Sequence, residues 1–364
     1  MLSRACITGA YQRKLEEMAA LPGVELTVAL PAEWRENGRV LRLERAHTQG
    51  YELLVLPIAL NGNFHLHFFP TLGGALQRLR PDLVHIDEEP YNLATFLALR
   101  AARAVRAKAL FFSWQNLARR YPPPFRQLES YVLGHSDFCL VGNREAEDVL
   151  RGKGYRGPAR LIPQVGVDPV HFCPLPGAQR PAEPFVVGFA GRYIAAKGVG
   201  MLVEAAAGLR GTWQLRLAGS GPLRQALEEQ AASLGVGEQV LFEAHIPSTE
   251  MPRFYRQLHA LVLPSLSTPS WKEQFGRVLI EAMACGVPVV GSDSGEIPHV
   301  IGEDGLVFPE GDVAALRACL QRLHDDPALG AELGRRGRAR VEAQYTHARI
   351  ARDTVAVYRE VLRD

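Results

Sequence analysis

The chain reads as an α/β protein made of two doubly wound halves, each a parallel sheet with crossover helices on its faces. Three observations predict this. Short apolar runs alternate with longer stretches of helical period along nearly the whole chain, the pattern of βαβ units. Runs such as 53–56 and 83–84 are apolar without alternation, as suits strands covered on both sides. Between 168 and 184 the pattern lapses, and prolines stand at 169, 174, 176, 181 and 184. Length agrees, since 364 residues suit two domains of roughly 150–200 residues each.

In the first half the expected strands are 24–30, 52–57, 82–87, 108–113 and 137–141, with helices over 11–21, 71–79, 91–105, 125–134 and 144–152. In the second half strands are expected at 185–190, 214–218, 239–242, 260–264, 287–291 and 306–308. Helical patterns at 199–209, 222–234, 251–257, 277–285, 313–324 and 328–343 separate them, and a last helix is expected near 347–362. The domain expectation is a first domain over 1–170, a proline-rich linker over 171–184, a second domain over 185–345 and a final helix from 346 to 364. Ligands of open α/β sheets sit beyond the carboxyl ends of strands, so both halves are expected to present their sites to a cleft between them.

Composition narrows the function classes. Hydrophobic residues make up 47% and charged residues 22%, an ordinary globular balance. A net charge of +2 from 41 basic and 39 acidic residues gives no global field for nucleic acid. Five cysteines without a CxxC pair argue against a disulfide framework or a zinc site and fit a reducing cytoplasm. The opening apolar run is too short for a signal peptide, and no stretch reaches the roughly 18 apolar residues of a membrane span. The expectation is a soluble, cytoplasmic protein.

The densest chemical signal lies between 264 and 296. A strand ends at Pro264-Ser265, a loop delivers Glu273, Phe275 and Gly276, and a helix begins near Gly276. A helix start offers unpaired N–H groups and a positive dipole end, which suit a diphosphate. Glu281, in the first turns of that helix, is placed to accept hydrogen bonds from two ribose hydroxyls, and Glu273 to do the same for a donor sugar. A second signal is Gly191-Arg192 followed by Lys197-Gly198, a glycine turn after a strand carrying two cations five residues apart. Facing a pyrophosphate, they would stabilise the leaving nucleotide and make a divalent metal dispensable. A third is Gly219-Ser220-Gly221-Pro222, a tight turn whose backbone can approach a nucleoside closely. Each feature alone has a bland reading as a solvated cation, a plain turn or an exposed carboxylate. Their order, each at a strand's carboxyl end, points to a nucleotide-diphosphate site.

These residues resemble the nucleotide-sugar glycosyltransferases of family 4, retaining enzymes with the GT-B fold. The pattern is Gly191-Arg192 with Lys197-Gly198, then Gly219 to Pro222, then Glu273-x-Phe275-Gly276 with Glu281 and Gly286-x-Pro288-Val289-Val290, and a tail at Gly295-Glu296-Ile297-Pro298. The resemblance is close over roughly 160–345 and looser before it. It implies that Arg192 and Lys197 bind the donor diphosphate and Glu281 the ribose. Glu273, with the backbone of Phe275 and Gly276, would orient the donor sugar. Gly191, Gly219, Val278 and the loop Ala244-His245-Ile246-Pro247 would complete the donor pocket. It implies a UDP- or GDP-sugar donor, a hydroxyl acceptor (glycan, lipid-linked or small molecule), retention of configuration, no metal and no cofactor. It also implies a last helix that packs back on the first domain.

In the first half, 81–90 resembles the family's acceptor-side strand end, with His85 as a catalytic candidate and Asp87, Glu88 and Glu89 facing acceptor hydroxyls. Asp87 stands where a second histidine is frequent. A buried structural role for His85, and capping of the helix after Tyr91 by the three acids, remain open. His65 and His67 have metal-like spacing but no third ligand nearby, and read as a polar loop. Arg100, Arg103, Arg106, Lys108, Arg119, Arg120 and Arg126, with aromatics among them, are either a solvated face or a surface for anionic lipid at the inner face of a membrane. Rival functions are a nucleotide-sugar epimerase on the same fold, a catalytically silent nucleotide-sugar binder, and a glycosidase using Glu273 and Glu281. The last would leave the two cations without a purpose.

Overall fold

A computed structural model describes residues 1–36, 38–174, 183–244 and 246–363, which divide into two compact units. One unit runs from Met1 to Gly166 and takes in the last helix; the other runs from Val167 to Thr346. The chain therefore crosses between units at Gly166–Val167, ahead of the expected linker. His171, Phe172 and Cys173 are already bound to the second unit, where Arg256 donates to the His171 and Cys173 carbonyls and Arg338 to that of Phe172. Residues 175–182 of the expected linker lie outside the described residues.

Unit one contains strands β1 (Thr27–Leu30), β2 (Glu33–Glu36), β3 (Arg39–Arg42), β4 (Glu52–Val55), β5 (Leu83–Ile86), β6 (Lys108–Ser113), β7 (Phe138–Val141) and β8 (Ala159–Leu161). Its helices are α1 (Gly9–Ala19), α2 (Leu72–Leu79), α3 (Leu93–Ala104), α4 (Phe125–His135) and α5 (Arg144–Gly152). β1 pairs with β4, and β5 to β8 pair in sequence, all parallel. Leu2 joins the two sets, bridging Ala29 of β1 on one side and Ile86 of β5 on the other. Strand order thus reverses between the Leu2 segment and β5, a topological switch point. The antiparallel hairpin of β2 and β3 was not expected: it is mostly exposed and charged, and carries no buried run to announce it.

Local chemistry sets several ends. Asn143 caps α5 by accepting from the Ala146 N–H at 2.8 Å, and Glu145 and Glu147 sit in its positive first turn. Arg80, in the left-handed region, ends α2.

Unit two contains β9 (Phe185–Arg192), β10 (Trp213–Ser220), β11 (Val240–Glu243), β12 (Ala260–Leu263), β13 (Val289–Ser292) and β14 (Leu306–Phe308). Helices α6 (Val199–Ala207), α7 (Arg224–Ser233), α8 (Met251–Tyr255), α9 (Arg277–Ala284), α10 (Ile297–Ile301), α11 (Val313–Asp325) and α12 (Pro327–Gln344) connect and cover them. The sheet is parallel in the order β11-β10-β9-β12-β13-β14, so its switch point lies between β9 and β12. Its core joins Val187, Phe189, Leu215 and Leu217 of the central strands to Leu202, Val203, Leu316 and Leu320 of the helices, all buried.

The chain ends in α13 (His347–Val361), which returns to unit one. Its Ala351 and Val355 pack with Leu15 and Met18 of α1, while Ile350, Val357 and Val361 pack with Leu110, Phe112 and Leu140 of the sheet. Among the described residues no helix is long and apolar enough to cross a membrane.

Candidate functional site

The carboxyl ends of β9 and β12 flank the switch point of unit two, and of the sequence-predicted donor residues Gly191, Lys197, Gly219, Glu273 and Gly276 make contacts there. β9 runs into Gly191 and exposed Arg192, and a short 3-10 turn (Ala195–Lys197) then presents Lys197. Gly198 follows with φ +63° and caps α6; a Cβ there would stand 1.9 Å from the Pro264 carbonyl oxygen. Only glycine lets this loop lie against the end of β12. Gly219 likewise approaches Gly191, where a Cβ would meet the carbonyl oxygen at 1.9 Å, so the turns after β9 and β10 touch through backbone.

Across the switch point, the Lys197 ammonium donates to Glu273 Oε2 at 2.5 Å, and the Ser265 hydroxyl donates to the same oxygen at 2.9 Å. Lys197 Nζ also lies 5.0 Å from the centre of the Trp271 ring. Glu273 is buried, and its backbone carbonyl accepts from the Glu296 N–H at 3.2 Å. The backbone continues through buried Phe275, whose ring sits 5.8 Å from that of Tyr345, to Gly276 at φ +81°, the N-cap of α9. Gly276 supplies no side-chain cap to this helix start, where the positive end of the helix dipole lies.

Glu281, also buried, faces Tyr255 and Arg277. The Tyr255 hydroxyl donates to Oε2 at 2.7 Å, and Arg277 Nε lies 2.8 Å from Oε1. Burial, then the Glu281 charge, pushes the Tyr255 hydroxyl well above its usual range, so it remains a donor. Sequence reasoning missed Tyr255, Ser265 and Arg277. Ser265 at a strand end offered a signal, and Arg277 the i,i+4 spacing to Glu281; Tyr255, on an apolar helix, offered none. Val278 is half-buried on α9, and Ile246 half-buried in the loop after β11; His245 lies outside the described residues.

In unit one, His85 is 2% exposed, its Nδ1 2.6 Å from the Tyr358 hydroxyl of α13 and its Nε2 3.8 Å from Asp87 Oδ1. It lines a cavity of about 400 Å³ with Leu26, Leu76 and Leu83, at the end of the sheet where β1 and β5 begin. Burial holds its pKa down to about 3, despite the raising influence of Asp87. The imidazole is thus held neutral within the core of unit one. Asp87 accepts from the Ser3 hydroxyl at 2.6 Å. Glu89 accepts from the Ser113 hydroxyl at 2.8 Å and the Trp114 N–H at 2.7 Å, anchoring the end of β6; burial raises its pKa to about 7. Glu88 lies between Arg4 and His67. Arg100, Arg103, Arg106, Arg119, Arg120 and Arg126 are exposed, and Lys108 is 3.5 Å from Asp137.

Comparison with known proteins places this geometry. Residues 176–340 match the family model described as glycosyl transferases group 1, and residues 8–165 match the glycosyl transferase 4-like domain. A GDP-mannose-dependent alpha-(1-6)-phosphatidylinositol monomannoside mannosyltransferase of Mycolicibacterium smegmatis is 33% identical over 50% of this chain and 52% of its own length. An MMP alpha-(1->4)-mannosyltransferase of Mycolicibacterium hassiacum is 31% identical over 62% of this chain and 54% of its own. The matches thus span about half the length of these curated relatives. Among solved structures, sucrose-phosphate synthase from Thermosynechococcus elongatus superposes with TM-score 0.71 at 25% identity, covering 96% of this chain and 92% of that one. HepE of Anabaena, solved with UDP, shares the fold with TM-score 0.75 at 17% identity over 99% and 98% of the two chains. Both halves are matched in order and the two Rossmann-like units have the GT-B architecture: the chain belongs to the family 4, group 1 glycosyltransferases.

Proposed function

We propose that the protein transfers a hexosyl group from a nucleotide-diphosphate sugar to a hydroxyl acceptor, with retention of configuration and without a metal. The observation that carries this is the contact of Lys197, Glu273 and Ser265 at the switch point, with Glu273 in the loop that leads into α9. In the ligand-free chain the ammonium is neutralised by Glu273. A diphosphate arriving at α9 offers it a second anionic partner, and Arg192 adds another cation from the neighbouring turn. Glu273 then serves the donor sugar's hydroxyls. Glu281, held by Tyr255, accepts from the ribose once Arg277 swings aside.

In this reading the acceptor hydroxyl attacks the anomeric carbon on the face of the departing diphosphate. The new C–O bond forms as the bond to phosphate oxygen breaks, and the acceptor proton passes to that oxygen. No enzymic base is needed, which fits the buried, neutral His85. Arg192 and Lys197, with the helix dipole of α9, supply the charge that would stabilise the departing diphosphate. The exposed arginines from Arg100 to Arg126 suit an anionic membrane surface; sedimentation with phosphatidylglycerol vesicles, compared with phosphatidylcholine, tests that part.

The test of the main reading is incubation with UDP- and GDP-hexoses in EDTA, following nucleoside diphosphate release and product configuration by NMR. That panel follows from a relative named for GDP-mannose and a fold neighbour solved with UDP. Release with an axial-to-axial or equatorial-to-equatorial outcome is expected. Inversion, or an absolute need for divalent metal, overturns the mechanism; conversion of donor to another sugar nucleotide without acceptor makes the protein an epimerase.

A further inference from the structure

The Lys197 ammonium meets a carboxylate in one contact and an aromatic ring in another. Glu273 accepts from it at 2.5 Å, and the centre of the Trp271 ring lies 5.0 Å away. The proposed reaction makes opposing demands on the first contact. Glu273 must turn its oxygens to the donor sugar, while Lys197 must stay where the diphosphate leaves. A carboxylate neutralises the ammonium and competes with the diphosphate for it, so it cannot hold the cation during that exchange. A ring can, because its π face attracts the cation and leaves the charge intact. The Lys197 side chain is only 16% exposed, and such attraction grows as water is removed.

Trp271 belongs to the loop between β12 and α9, and backbone bonds fix that loop against the turn that carries Lys197. The Leu266 N–H donates at 2.8 Å to the carbonyl of Ala196, the residue before Lys197. Ser267 donates its N–H to Glu310 Oε2 at 2.7 Å, and its hydroxyl lies 2.9 Å from that of Ser294. Thr268 and Trp271 then close a tight turn. The Thr268 N–H donates to the Trp271 carbonyl at 2.7 Å, and the Trp271 N–H to that of Thr268 at 3.3 Å. At the far end of the loop the Glu273 carbonyl accepts from the Glu296 N–H at 3.2 Å. None of these bonds uses the Glu273 carboxylate. Ring and ammonium thus stay opposed when that carboxylate turns away.

We infer that Trp271 is a positioning residue for the transfer: its ring holds the Lys197 ammonium at the switch point while Glu273 turns to the sugar, so that the cation meets the departing diphosphate. This rests on the glycosyltransferase reading and adds to it the residue that keeps the leaving-group cation in place, all within unit two.

A double-mutant cycle on the full chain tests it, with UDP and GDP as probes and calorimetry as the readout. The free diphosphate carries on its terminal phosphate the charge that develops as the donor bond breaks, and its binding needs no acceptor. Trp271→Leu keeps apolar bulk without a π face, and Trp271→Phe keeps a smaller π face. With Lys197 present, Trp271→Leu should weaken nucleotide binding by about tenfold and Trp271→Phe by about threefold. With Lys197→Ala already in place, each should change affinity by less than about twofold, since the ring then has no ammonium to hold. Melting is followed in the same samples, and if Trp271→Leu is unfolded the Trp271→Phe pair completes the cycle. Equal losses in both backgrounds, or parental affinity in the ring variants, overturn the assignment and leave the donor reading standing. If wild type binds neither UDP nor GDP, the glycosyltransferase reading is what fails.

Discussion

Two side chains that look alike in the sequence, each polar and near a strand, are given opposite duties by their surroundings. Lys197 is partly exposed and paired with Glu273 in the loop before α9. If it acts as a preformed donor to the leaving group, Lys197→Ala lowers kcat roughly 100- to 1,000-fold with KM for the donor changed far less. Steady-state kinetics decide it, and a variant at parental kcat removes Lys197 from the mechanism. His85 is sealed between the sheet and Tyr358. Its folded pKa, about 3, lies below the unfolded value of 6.5, so its neutral form supports folding fully above pH 6.5. That support is lost as pH falls from 6.5 towards 3, up to about 5 kcal/mol at 1.36 kcal/mol per unit. Urea titrations from pH 7 to pH 4 should show wild type losing stability faster than His85→Leu; parallel curves would contradict the assignment.

Among elements, the loop from β9 into α6 carries Lys197, the cation of the proposed donor site. Gly198 caps α6 in a conformation that side chains avoid and lies where a Cβ would strike the Pro264 carbonyl. Gly198→Val therefore costs about 3 kcal/mol, combining backbone strain with a displaced loop. Because the displacement moves Lys197 away from Glu273, nucleotide affinity should fall together with the urea midpoint. A variant of unchanged midpoint would show that the loop yields freely. Legibility differs from loop to loop here. The glycines after β9 and β10 and the Glu273-x-Phe275-Gly276 run could be read because backbone geometry restricts which residue types are tolerated. The β2–β3 hairpin could not, because its exposed, charged strands leave no burial pattern, and Tyr255 could not, because its partner Glu281 lies on another helix.

At the scale of the molecule, each unit has its own sheet, core and switch point, and α13 belongs to the first although it follows the second in sequence. Ending the chain after Thr346 strips Ile350, Ala351, Val355, Val357 and Val361 from unit one, the larger side chains contributing roughly 1.5 kcal/mol or more each. The truncated protein should lose the transition of unit one, seen as rapid proteolysis before residue 166, while nucleotide binding by unit two persists. Loss of both together would mean that the units do not fold separately.

The sequence by itself determined the two α/β halves, most of the strands and helices, and the residues at the ends of β9, β10 and β12. Periodicity and turn chemistry are local, and a strand's carboxyl end is where glycine and charge become conspicuous. Only the tertiary structure decided which way His85 faces, that Ser265 and Tyr255 hold the two glutamates, and that Arg4, Glu88 and His67 converge. Those facts depend on contacts between segments far apart in the chain, where burial and the supply of hydrogen-bond donors are set by packing, which residue type and spacing along the chain do not encode.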